Sequence, residues 1–144
     1  PRFMAKANEK LYLLNELDNT LACYNLPDLT LAQIISVVPD QITENLASHI
    51  VFSEDKRFLY ISNRGFDTLE VFSVEPEMKL IQTIPTGGKH PRHFTLLNND
   101  EFLLVANQFT DNLVMFSRHA KTGLLSTTDL SMSAPSPTFL LPLS

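Results

Sequence analysis

Apolar residues along this chain fall in short runs, none longer than Phe102–Ala106, and the runs recur in register. Leu11–Asn15, Phe58–Asn63 and Phe102–Asn107 superimpose, each ending on an asparagine. Six residues past each asparagine stands a leucine: Leu21, Leu69 and Leu113. Two further on come Cys23, Val71 and Met115, then the rings of Tyr24, Phe72 and Phe116, then Asn25, Ser73 and Ser117. The three asparagines are 48 and 44 residues apart, and five columns keep one register across three copies. That is an internal repeat, and a repeat decides architecture before any single residue does.

Each copy extends both ways. Upstream lie Pro1–Met4, Ala47–Ile50 and Pro91–Phe94; downstream lie Leu31–Val38, Lys79–Ile84 and Leu124–Asp129. Between the segments sit turn-formers such as Asn63–Gly65, Glu75–Glu77, Pro85–Gly88 and Asn98–Asp100. Leu69, Val71 and Ser73 alternate with Glu70, Phe72 and Val74, the two-residue period of a strand. β-Branched and aromatic residues fill the equivalent runs, which favours strand over helix. The unit is therefore four short strands in an antiparallel meander, and its period matches one propeller blade. The predicted fold class is all-β: three four-stranded blades over residues 1–38, 46–86 and 91–131. The tail 136–141 resembles a further first strand that would close a ring.

Composition narrows the partners. Of 144 residues, 44% are hydrophobic and 19% charged, which suits one folded domain. The net charge of −5 argues against nucleic acid, which a basic surface would attract. A five-residue apolar run is far short of the ~20 needed to span a bilayer as a helix. The single cysteine, Cys23, excludes an internal disulfide, permits a reducing compartment and aligns with core positions. No secretory signal is visible after Pro1, although the chain does not open on a methionine. Histidines and carboxylates lack metal-ligand spacing, and no glycine-rich loop cradles a phosphate; no metal or cofactor is expected.

The blade edge that carries the start of strand 1 and the end of strand 2 faces one mouth of a propeller's central funnel. The residue after the repeated asparagine is Glu16, Arg64 and Gln108 in turn. The scaffold residue is constant while its neighbour changes chemistry, as a functional position on a repeated frame would. Starts of strand 1 add Arg2, Ser48 with His49, and Arg92 with His93. A carboxylate or an imidazole in such a set can activate water as general base. Guanidiniums can clamp an anion or stabilise an oxyanion. The competing reading makes Glu16 and Arg64 turn residues, His49 a strand histidine, and Lys89, His90 and His93 loop polarity.

Taken together, the strings Leu14–Leu17, Phe58–Gly65, Leu69–Phe72, Pro85–Phe94 and Leu104–Gln108 resemble the lactonase family of seven-bladed β-propellers. This is the 6-phosphogluconolactonase type, which includes the fungal carboxymuconate lactonizing enzymes. The resemblance covers essentially the whole chain. It implies the C-terminal three blades of a seven-bladed ring plus the closing strand. It implies a hydrolase of a sugar-acid lactone in cytoplasmic carbohydrate metabolism, with arginine and glutamate of the site at Arg2, Glu16 and Arg64. His49 joins these as a candidate catalytic group, and Arg92, His93 and Gln108 as candidates for substrate binding. A non-catalytic binding propeller and a muconate-type cycloisomerase are the alternatives. Three blades alone leave two blade flanks open, so complementary blades or self-association are the expected partners.

Overall fold

The computed structural model describes residues 1–42 and 44–143. Among these residues, twelve strands form three separate four-stranded antiparallel sheets, each in chain order. The first is β1 (Phe3–Ala7), β2 (Lys10–Asn15), β3 (Thr20–Asn25) and β4 (Thr30–Ser36). The second is β5 (Leu46–Phe52), β6 (Phe58–Arg64), β7 (Thr68–Ser73) and β8 (Lys79–Pro85). The third is β9 (Pro91–Leu97), β10 (Phe102–Asn107), β11 (Asn112–Arg118) and β12 (Leu125–Ser133). The last strand runs two residues beyond the expected blade limit of 131. The only helical element among the described residues is a 3-10 turn, Gln108–Thr110.

The two-residue period explains the packing. On β7, Leu69 and Val71 face blade 3, beside Phe94, Leu103, Val105 and Phe116. Phe72, from the other face of the same strand, packs towards blade 1 with Tyr12, Leu14, Leu21 and Cys23. Blade 2 is thus apolar on both faces, which is why β6 is buried from end to end. Each large apolar side chain so buried contributes about 1.5–3 kcal/mol. The inner strands β1, β5 and β9 touch in sequence, so the sheets fan out from a common axis.

The repeated asparagine clamps the linker that enters its blade. Asn63 Nδ2 donates to the Val37 carbonyl at 2.8 Å, and Asn107 Nδ2 to the Thr86 carbonyl at 3.1 Å. A second device joins the blades further from the axis. Gln33 of β4 donates to the Met78 carbonyl and accepts from the Met78 N–H, both at 3.0 Å. Gln82 of β8 does the same to Leu125 at 2.8 and 2.7 Å.

The tail differs from expectation: residues 136–141 are not a strand. A strand exists only with a ladder partner, and among the described residues no sheet pairs with this segment. The tail nevertheless lies against blade 3. The Leu140 N–H donates to His93 Nδ1 at 3.3 Å, and the Phe139 ring stands 4.3 Å from the His93 ring.

Candidate active site at the mouth of the blades

Antiparallel pairing dictates which residues meet. Phe3 pairs with Leu14, Leu46 with Arg64, and Pro91 with Asn107, so the start of each inner strand lies beside the end of the next strand. Arg2 therefore sits next to Glu16, and Arg92 next to Gln108. The fan of blades then brings Arg64 up to Glu16 from the neighbouring sheet.

Glu16 Oε1 accepts from Arg2 Nη1 at 3.2 Å and from Arg64 Nη2 across the blade boundary. Arg2 Nε donates to the Ser48 carbonyl at 2.6 Å, and Ser48 Oγ to the Arg92 carbonyl at 2.8 Å. Arg92 Nη1 reaches Gln108 Oε1 at 3.4 Å. One polar belt thus runs across all three blades. Arg64 is buried, and its Nε has no protein partner. Partial burial pushes the Glu16 carboxyl up, but the hydrogen bonds and charges of Arg64 and Arg2 outweigh it and hold the group below its usual value.

The two histidines occupy a different layer. One ring from each inner strand, then one from the tail, forms a column. Phe3 and His49 lie 4.6 Å apart, His49 and His93 4.0 Å, and His93 and Phe139 4.3 Å. His49 is 8% exposed, with Nδ1 buried and unpartnered. Burial first, then the His93 ring and the Arg2 charge, push its pKa down to about 3. Burial lowers His93 as well. Both imidazoles are neutral at pH 7.

Arg2, Glu16 and Arg64 are thus in direct contact, Arg92 and Gln108 form a second pair, and His49 and His93 stack beside them. Sequence reasoning weighed His90 only as loop polarity and passed over Asp67. An open cleft of about 490 Å³ is lined by Arg64, Gly65, His90, Asn45, Leu46 and Leu17. Asp67 accepts from the backbone N–H groups of Gly65 at 3.2 Å and His90 at 2.8 Å, tying together the two loops beside Arg64. The sequence signal for Asp67 was weak, since an aspartate in a turn is ordinary.

Comparison with known proteins follows the same lines. The 6-phosphogluconolactonase of Bacillus subtilis (strain 168) is 34% identical over 134 residues, which cover 88% of this chain and 38% of that protein. The 6-phosphogluconolactonase of Formosa agariphila is 37% identical over 121 residues, 79% of this chain and 34% of that protein. The solved structure of the periplasmic gluconolactonase PpgL of Pseudomonas aeruginosa superimposes with a TM-score of 0.86 at 29% identity, covering 91% of this chain and 38% of that one. This chain spans 34–38% of the length of these three relatives. The periplasmic relative also shows that the shared fold does not dictate the cytoplasmic location expected from the sequence. The family described as lactonase, 7-bladed beta-propeller, matches residues 1–142. Three four-stranded blades with that match end to end mean that the chain belongs to the seven-bladed β-propeller lactonase family.

Proposed function

We propose that this chain contributes three blades and part of the active site to a ring that hydrolyses a sugar-acid lactone of the 6-phosphogluconolactone type. One observation carries the reading: Glu16 is held between Arg2 and Arg64, with a donor of Arg64 left over. Arg64 and Arg2 bind the anionic substrate and the oxygen that becomes negative as the carbonyl is attacked. As the substrate's anionic group takes over Arg64, Glu16 is released from one of its two guanidiniums and becomes the better proton acceptor. It takes a proton from water as the water oxygen bonds to the carbonyl carbon. The tetrahedral intermediate then collapses, the ring C–O bond breaks, and the proton passes to the leaving alkoxide. The products are a carboxylic acid and a hydroxyl. Burial pushes the His49 pKa down to about 3, which makes it a poor proton acceptor, and its ring shapes the wall beside the site. Arg92, His93 and Gln108 extend the substrate-binding surface. The remaining blades of the ring complete the funnel, and the enzyme works in the cytoplasm on soluble sugar acids.

The test is steady-state hydrolysis by the complete ring, corrected for spontaneous lactone opening. Arg64→Ala removes a charge-assisted contact of about 1.5–3 kcal/mol, so kcat/KM should fall roughly ten- to hundredfold. Glu16→Gln keeps the shape without the basicity and should lower kcat more than it raises KM. Wild-type efficiency in both variants would overturn the assignment.

A further inference from the structure

Pro91 and Ala47 each pair with the repeated asparagine of their blade, so His90 stands where blade 2 has Leu46. Asn45, which also lines the cleft, commits its side chain to the scaffold. Its Nδ2 donates to Asn19 at 2.8 Å and Asn63 at 3.0 Å, and its Oδ1 accepts from the Phe66 N–H at 3.2 Å. The imidazole of His90 bonds to none of its neighbours among the described residues, yet His90 is firmly held. Its N–H donates to Asp67 Oδ1 at 2.8 Å, and its carbonyl accepts from the Gln108 N–H at 3.1 Å. The ring lies flat on Phe109, with centroids 3.9 Å apart and planes 12° apart.

The backbone at His90 has φ +62°, in the left-handed region. Asparagine, aspartate and histidine enter that region more readily than other non-glycine residues, and several turns of this chain use it. Burial and the charges of Arg64, Arg92 and Arg2, opposed by Asp67, lower its pKa, so the ring is neutral at pH 7. A neutral imidazole offers one donor and one acceptor, which matches a hydroxyl; a guanidinium offers only donors, which match an anion.

We propose that His90 is a ligand-contacting residue of the cleft, hydrogen-bonding a hydroxyl of a polyhydroxylated acid or its lactone whose anionic group Arg64 holds. Its substrate class rests on the lactone reading above. Asp67 is the positioning residue beneath it, holding the loops on either side of the cleft at one separation.

The experiment uses the complete ring and two probes: 6-phosphogluconate, and glutarate as a hydroxyl-free dianion. Binding is measured by calorimetry for wild type, His90→Asn and Arg64→Ala, beside lactone turnover. Asparagine tolerates the left-handed backbone, so His90→Asn removes the ring without new strain. It should weaken 6-phosphogluconate about tenfold, the loss of one hydrogen bond of about 1.4 kcal/mol, and leave glutarate unchanged. Arg64→Ala should weaken both. His90→Gly, which relaxes the backbone, should repeat the selective loss with no fall in melting temperature. Unchanged 6-phosphogluconate binding in His90→Asn overturns the proposal, and so does an equal loss for both probes, as a merely structural role would give. Wild type that fails to bind 6-phosphogluconate also overturns it. Selective loss without lactone turnover keeps the His90 contact and sinks the lactone reading instead.

Discussion

His49 shows how a single buried ring couples stability to acidity. Its folded pKa of about 3 lies below the ordinary 6.5, so the unfolded chain binds the proton more readily between those values. Stability should therefore fall as pH drops from about 6.5 towards 3, at up to about 1.4 kcal/mol per pH unit. Glu16 acts in the same direction: its pKa is lowered, so its pairing stabilises at neutral pH and is lost as pH falls through the folded value. Phenylalanine suits the ring column, since Phe3 flanks His49 already. His49→Phe should flatten the acid limb of stability, measured as urea midpoints at pH 4.5 and 7.5; an unchanged pH slope would refute the coupling. The residue scale is also where the sequence was least informative. The contact of Glu16 with Arg64 could be anticipated, because equivalent places in adjacent blades lie side by side. His90 could not, because between Lys89 and Pro91 it looks like any polar loop residue. Only the stack on Phe109 and the bond to Asp67, which lie far from it along the chain, set it apart.

Strands and their order were legible because packing on both faces forces the same alternation into every copy. The joints between blades were harder to read. Gln33 and Gln82 occupy one column of the repeat, but a glutamine in an exposed outer strand carries no signal until its partner is known. Each replaces the water that a main-chain N–H and carbonyl would otherwise bind. Gln82→Ala should leave both groups of Leu125 without a protein partner and cost about 1–3 kcal/mol. Chemical denaturation would show it, and a change below about 0.5 kcal/mol would mean that water serves equally well. The tail marks the limit of the pattern. Its sequence reads as an inner strand, but sequence cannot supply the neighbour that turns an extended segment into one.

The whole molecule is an open arc. Blade 2 has a blade on either side, whereas blade 3 exposes its outer flank, with Leu130 59% and Met132 60% exposed beside an apolar hollow of about 200 Å³. Blade 1 likewise exposes Met4, Leu31 and Ile34. Repeat arrays rely on covered ends, and contiguous apolar patches drive association. The isolated chain should therefore self-associate, and Met132→Lys should shift its sedimentation towards monomer; a dispersed wild-type monomer would contradict this.

The glutamine hook on Met78 turns one amide into a gauge of how blades part. This N–H lies outside any strand, and its bond crosses from blade 2 to Gln33 of blade 1. Neither sheet has to melt for deuterium to reach it; only the joint has to open. Its exchange rate therefore reads the hinge between blades separately from the ladders of β7 and β8, which exchange only when the sheet itself comes apart.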